Sequence, residues 1–299
     1  MKILMTGATG FIGRNLKEHF ELNGHEVKNI GRKDWSPLSQ LTTEFYVKQM
    51  NKISPEIIIH CAGEIYNQEE MYKVNFEFIQ WLLKCTKEVP YKCFINIGSS
   101  SEYGANDKPM KESDALHPRN PYECTKAMGT LYAETFARMN QKPIVTIRPF
   151  SVYGKHEPAH RLVPTIMRNL REGKPTTIAP GMHDWIYIKD FIRGVQSIID
   201  KVIAGKIVTH DIFNMGTGIC MNNEEVFNTI KNAMGLEGIM IKSDNYMRSF
   251  DTTISWKASM AKTCSVIEDM SDWIVDMDAA IADMLNDEKL LTTTEPHIE

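Results

Sequence analysis

Apolar residues along the chain follow two rhythms. Short runs rich in Ile, Val and Leu at 2–6, 26–30, 56–61, 93–98 and 144–148 are separated by longer stretches at 11–23, 38–50, 71–87 and 121–139, where they recur every three to four positions. The first kind reads as strands and the second as amphipathic helices. Strands alternating with helices in this way pair in parallel with right-handed crossovers, so the pattern predicts an α/β fold of the Rossmann type, a doubly wound parallel sheet. Beyond about residue 154 the rhythm loosens into a helix at 161–172, short strands near Thr176 and Trp185, a helix at 190–203, a strand at 212–215 and a helix at 223–234. These pieces are expected to build a smaller, partly interleaved C-terminal lobe. The expected division assigns 1–155 to the main domain, with 184–215 returning to it, and 156–183 and 216–286 to the lobe. Residues 287–299, polar and Thr-rich, are expected to fray.

Composition narrows the class. A chain of 299 residues with 42% apolar and 24% charged residues is long enough for two domains and ordinary enough to exclude a disordered or disulfide-stapled protein. Thirty-four basic against 38 acidic side chains leave a net charge of -4, so no global basic field is present to hold a nucleic-acid backbone. The six cysteines contain no C-x-x-C pair and no zinc-ligand spacing with histidine. Reduced, mostly buried thiols in a cytoplasmic protein without a metal are expected. The apolar start breaks at Gly7, too soon for an export signal, and no run approaches the roughly 18 apolar residues of a membrane span. Neither membrane nor nucleic acid is an expected partner.

Gly7-Ala8-Thr9-Gly10-Phe11-Ile12-Gly13 follows the first predicted strand and opens the first helix. Glycines so placed allow a tight turn, let the backbone approach a diphosphate, and let the helix pack closely on the strand. The helix start then offers unpaired N–H groups and a positive dipole end to the phosphates. The motif points to a dinucleotide. At the tip of the second strand stand Arg32, Lys33 and Asp34. The two cations suit a 2'-phosphate and favour NADP(H); Asp34, able to take a ribose, keeps NAD(H) open. A solvated loop without cofactor contact is the plain alternative.

Asn120-Pro121-Tyr122-Glu123-Cys124-Thr125-Lys126 reads as a helix start, with Asn120 as N-cap, Pro121 first in the helix and Glu123 in the capping-box position. Tyr122 and Lys126 then share one helix face. A phenol with an ordinary pKa of about 10 is a poor acid at neutral pH, and a neighbouring ammonium draws it toward the working range. A surface Tyr/Lys pair is the simpler reading of those two residues alone.

Their company changes the picture. Gly98-Ser99-Ser100-Ser101-Glu102-Tyr103-Gly104 closes the preceding strand and Arg148-Pro149-Phe150-Ser151-Val152-Tyr153-Gly154 the next. In order and kind these runs resemble the extended short-chain dehydrogenase/reductase family of nucleotide-sugar epimerases, dehydratases and reductases, over roughly residues 1–235. The resemblance takes in His60-Cys61-Ala62-Gly63, Asn75, the run from Asp184 to Ile188 and the run from Phe213 to Gly218. It implies that Tyr122 is the general acid/base, that Lys126 holds the nicotinamide ribose and lowers the phenol pKa, and that Ser99 hydrogen-bonds the reacting oxygen, with Ser100 the near alternative. It assigns the cofactor to Gly7, Thr9, Gly10, Phe11, Ile12, Gly13, Arg32, Lys33, Asp34, Cys61, Ala62, Gly63, Asn75, Pro149, Tyr122 and Lys126.

Three departures from the family pattern shape the functional expectation. Dehydratases carry an Asp-Glu pair where this chain has Ser100 and Ser101, which argues against water elimination even though Glu102 is adjacent. His183 replaces the usual Arg before Asp-Trp, and Ser151 replaces the usual Asn, so Arg161 and Arg248 are the candidate cations for the substrate diphosphate. His156 and His160 read as lid or surface residues. The expected activity, in carbohydrate biosynthesis, is NADPH-dependent reduction of a 4-keto nucleotide sugar. Alternatives are a 4-epimerase retaining NAD and, from another class, a cofactor-sensing binding module on an inactive scaffold. Apolar residues on several faces of the helices at 71–87 and 121–139, among them Trp81, Leu82, Leu131, Tyr132 and Phe136, suit the paired helices of a family homodimer.

Overall fold

A computed structural model of the chain describes residues 1–31, 43–106, 108–207, 210–238, 241–243, 255–268 and 270–293. Strands and helices alternate through the first half as β1 (Lys2–Thr6), α1 (Phe11–Leu22), β2 (Glu26–Ile30), α2 (Thr43–Ile53), β3 (Ile57–His60), α3 (Gln68–Tyr72), α4 (Phe78–Thr86), β4 (Cys93–Ile97), α5 (Pro121–Asn140) and β5 (Ile144–Pro149). The second half runs β6 (Ser151–Tyr153), α6 (Leu162–Arg171), β7 (Thr176–Ile178), β8 (Met182–Tyr187), α7 (Ile188–Ile203), β9 (Ile212–Met215), β10 (Cys220–Asn222), α8 (Asn223–Ala233), β11 (Ile241–Ser243), α9 (Ala261–Val266), α10 (Met270–Trp273) and α11 (Met277–Thr293).

Six strands pair in parallel in the order β2-β1-β3-β4-β5-β9. Their side chains alternate between two cores. Ile3, Met5, Ile57 and Ile59 pack beneath α1 and α7, while Leu4 and Ile58 pack beneath α4 and α5. The order of strand addition reverses at β1, so the loops after β1 and β3 leave on opposite sides of the sheet and open a crevice beyond the strand C-termini.

After β5 the chain leaves this sheet. β6 and β10 flank β8 in a second sheet, and β7 pairs with β11 in a third. Residues 184–215 therefore do not return as a block: β8 belongs to the second sheet, and α7 and β9 rejoin the first. Where the sequence predicts a frayed tail from Asp287, α11 continues helical to Thr293. The expected continuous helix at 71–87 is broken by a π-helical turn at Lys73–Glu77 between α3 and α4. The thiols are not mostly buried: Cys85 and Cys93 are, Cys61 and Cys220 are partly covered, and Cys124 and Cys264 lie on outward faces. Among the described residues no helix is long and apolar enough to cross a membrane.

Candidate active site

The crevice starts at the glycine turn. A Cβ on Gly7, whose φ is 68°, would stand 2.6 Å from the Ala62 amide nitrogen, and one on Gly13 would stand 2.2 Å from the Gly7 carbonyl oxygen. The chain's own packing thus demands those two glycines. At Gly10 the nearest atom to such a Cβ is the Gly7 oxygen at 3.4 Å, so the protein leaves that space free. Gly10 is also the N-cap of α1 and supplies no side chain to its N–H groups. Space above the backbone and uncapped donors at a helix start fit a diphosphate. Thr9 and Gly10 are exposed and Phe11 and Ile12 half-buried at this mouth.

At the end of β3, His60 Nδ1 lies 2.8 Å from Thr6 Oγ1. Burial, helped by the Lys126 charge, pushes the His60 pKa down to about 3, and burial pushes the Cys61 thiol up to about 12. Neither is poised for proton transfer at neutral pH. The loop through Ala62 and Gly63 is held by Asn75 in the π turn, whose Oδ1 accepts from Glu64 N–H (2.8 Å) and whose Nδ2 donates to the Glu64 carbonyl (2.9 Å) and to Thr125 Oγ1 (3.0 Å). Asn75, expected against the cofactor, spends its amide on tying this loop to α5.

The start of α5 forms by local rules. Asn120 Oδ1 accepts from Glu123 N–H at 2.9 Å, with Pro121 in the first turn. Glu123 turns to the Arg119 N–H (2.6 Å) rather than closing a capping box with Asn120. Tyr122 and Lys126 project from one face. Lys126 is buried and its Nζ donates to the Ile97 carbonyl at 2.7 Å. Ser99 lowers the Tyr122 pKa from nearby, and its hydroxyl donates to Ser101 Oγ (2.9 Å) and accepts from Ser101 N–H (3.1 Å).

Burial raises the Tyr122 pKa, partly offset by Ser99 and by the Arg161 charge, and burial lowers that of Lys126 against the pull of Glu102 and Cys61. The expected lowering of the phenol by Lys126 is therefore not the arrangement here, because the ammonium is turned to the end of β4. Ser99 and Arg161 act on the phenol instead.

Glu102 sits beneath this group, fully buried. Oε1 accepts from Ser99 N–H (2.8 Å) and Thr130 Oγ1 (2.9 Å), and Oε2 from Arg148 Nε (2.9 Å). The Arg148 guanidinium stacks 4.5 Å from the centre of the Tyr103 ring, and the Tyr103 hydroxyl donates to Asn214 Oδ1 at 2.7 Å. Glu102 is thus an internal strut. No local signal announces its partner, 46 residues away. Ser100 turns from the crevice and accepts from Trp256 Nε1 at 3.0 Å, which separates it from the reacting-oxygen role weighed for it.

On the opposite side, Pro149 ends β5 in register with Met215, and Ser151 opens β6 in register with Trp185. His183 pairs in register with Met221 and packs edge-on to the Trp185 ring. Asp184 accepts from Thr217 N–H (2.6 Å), Thr217 Oγ1 (2.8 Å), Gly218 N–H (2.9 Å) and Ala258 N–H (3.1 Å), a fold-holding role. Residues 155–161 strap the two sides together. Lys155 and His156 reach Glu18 on α1 at 3.0 and 2.8 Å, and His160 Nε2 meets the Tyr66 hydroxyl at 2.6 Å. Arg161 lies 3.2 Å from Glu157 and 6.0 Å from the centre of the Phe11 ring. Arg32, Lys33, Asp34 and Arg248 lie outside the described residues.

A doubly wound sheet with an uncapped glycine turn and a Ser, Tyr and Lys group at the strand ends defines a dinucleotide-dependent enzyme of the extended short-chain dehydrogenase/reductase type. The chain belongs to the NAD dependent epimerase/dehydratase family, which it matches over residues 3–216. It is 24% identical over 294 residues to Protein CapI of Staphylococcus aureus, covering 83% of this chain and 86% of that one. It is 21% identical over 296 residues to a dTDP-glucose 4,6-dehydratase of Haemophilus influenzae, covering 86% of each. Its fold superimposes with a TM-score of 0.80 on UDP-glucuronic acid 4-epimerase from Bacillus cereus, in complex with UDP-glucuronic acid and NAD, at 20% identity and covering 97% of this chain and 100% of the other.

Proposed function

We propose that the enzyme carries out hydride transfer at C4 of a nucleotide-linked sugar without eliminating water. The observation that carries this reading is the division of labour around Ser99: its hydroxyl stands near the Tyr122 phenol and lowers the burial-raised phenol pKa, while Glu102 is locked to Arg148 and Thr130. A bound nicotinamide supplies the hydride donor or acceptor at C4. In the reductive direction the Tyr122 hydroxyl gives its proton to the C4 oxygen, and the Ser99 hydroxyl hydrogen-bonds the same oxygen and keeps it in line. Lys126 is the residue to hold the nicotinamide ribose, and Gly10, Phe11 and Ile12 the ones to hold the diphosphate.

Reduction of a 4-keto sugar with NADPH is the first form of this proposal, resting on the Arg32 and Lys33 pair in the sequence. The second is 4-epimerisation with retained NAD, favoured by the likeness to an NAD-holding 4-epimerase. Two assays separate them: NADPH consumption with a 4-keto-6-deoxy nucleotide sugar, and conversion of UDP-hexoses with no cofactor added. Activity in neither, with a protein that binds both NADPH and nucleotide sugar, rejects the C4 reading.

A homodimer through α4 and α5 belongs to the same proposal. Leu82 and Phe136, expected on that face, are covered by the chain's own core, leaving half-exposed Leu131 of α5, with Tyr72 at the end of α3, to meet a second copy. A monomer mass by light scattering at micromolar concentration rejects it.

A further inference from the structure

The strap holds a charged pair that the proposed chemistry does not use. The Glu157 side chain, between β6 and α6, has no exposure to solvent. Its Oε2 accepts a long hydrogen bond from Gly154 N–H (3.3 Å), and its Oε1 makes no hydrogen bond, facing the Arg161 Nε at 3.2 Å. Burial pushes this carboxyl up to about 7, against the lowering by Arg161. Tyr153 of β6 feels the Glu157 charge, and Lys155 and His156 of the same loop turn away toward Glu18. Arg161 is the N-cap residue of α6, about one third exposed. It stands over the ring of Phe11, the first residue of the glycine-turn helix, and its charge reaches the Tyr122 phenol. The guanidinium therefore stands at the start of α1 with its charge felt by the phenol.

We propose that Arg161 recognises a diphosphate in the crevice and that Glu157 is its positioning residue, so that ligand binding is linked to proton uptake by Glu157. When ionised, Glu157 neutralises the guanidinium; when protonated, it leaves a net positive charge facing the ligand. An incoming diphosphate competes for Arg161 and repels the carboxylate, and both effects favour the protonated form. Affinity therefore rises as pH falls through neutrality. A dinucleotide and a nucleotide sugar both carry such a group, and the contact with Phe11 favours the dinucleotide. The inference rests on the family's use of a dinucleotide.

The experiment titrates NADH by fluorescence, and UDP-glucose by calorimetry, at about pH 6 and about pH 8. It uses wild type, Glu157→Gln, Arg161→Lys and Arg161→Met. The wild-type Kd for NADH is expected to rise by about three- to tenfold between the two pH values. Glu157→Gln is expected to bind at both as wild type does at the lower pH, Arg161→Lys to keep the slope, and Arg161→Met to bind weakly with no slope. A slope seen with UDP-glucose and not with NADH supports the linkage and moves the ligand to the nucleotide sugar. A slope unchanged in Glu157→Gln, or wild-type affinity in Arg161→Met, overturns it. A wild type that binds both NADH and UDP-glucose without pH dependence rejects this inference alone, whereas one that binds neither ligand also removes the dinucleotide reading beneath it.

Discussion

The two walls of the crevice use their motif residues in opposite ways. On the wall built by β4 and α5, the Tyr122 phenol has its burial-raised pKa lowered by nearby Ser99 and the Lys126 ammonium meets one backbone carbonyl. On the wall built by β8 and β9, Asp184 accepts four hydrogen bonds and Asn214 is met by the Tyr103 hydroxyl, the Met110 and Ser259 carbonyls and the Glu112 carboxylate. Both sets stand in equally recognisable runs of sequence. Hydrogen-bond completeness tells them apart: a polar group saturated by its own chain serves the fold, and one left with spare capacity beside open space is available to a ligand.

The strongest way to break this contrast is Tyr122→Phe. Turnover on any accepted nucleotide sugar is expected to fall by about 10² to 10⁴, the range of general acid–base catalysis, while NADH affinity stays within a few-fold. Wild-type turnover in that variant would place the acid elsewhere. Glu102→Ala is expected to lower stability by about 3–5 kcal/mol in urea unfolding, because it leaves Arg148 buried and unpaired. An unchanged midpoint would sink the strut assignment.

Two glycines sharpen the comparison within one turn. Gly13→Ala is expected to cost about 1–3 kcal/mol, since its Cβ meets the Gly7 carbonyl. Gly10→Ala is expected to keep the stability and weaken NADH binding, and equal unfolding midpoints for the two variants would show that the turn does not divide this way.

The last expected effect is a pH dependence. His60 is held neutral, its pKa near 3 against an ordinary 6.5, so the unfolded chain binds more protons between those values. Its contribution is complete above pH 6.5 and is lost as pH falls toward 3. His60→Asn should flatten that acid limb of the urea midpoint. An acid limb identical to wild type would assign it to other groups.

The main sheet was legible because its strands are continuous apolar runs separated by helices of regular period, and the glycine turn and α5 cap because their signals are local. The π turn at 73–77 was not legible, since one inserted residue per turn leaves the apolar period nearly intact. The second lobe was harder, as its short strands pair with partners far apart in sequence: β8 with β6 and β10, and β7 with β11. The helices after residue 260 were not anticipated, because α9 and α10 are too short to show a period. Ser100, Asn75 and Lys126 stand out in the sequence as motif positions, yet a motif does not reveal whether the partner is a ligand or the protein's own backbone.

The Trp256 bond to Ser100 also sets an order of assembly. The six-stranded sheet is complete once Met215 has paired with Pro149. Ser100, next to the proposed catalytic hydroxyl, must wait for a side chain 156 residues further along, which arrives with the strand that bridges Met110 to Ala258 and caps Asp184. During synthesis, all six strands of the main sheet therefore precede the residue that holds Ser100. A chain ended soon after Met215 would carry every strand of the main sheet but not the Trp256 donor, leaving the Ser100 hydroxyl without that partner.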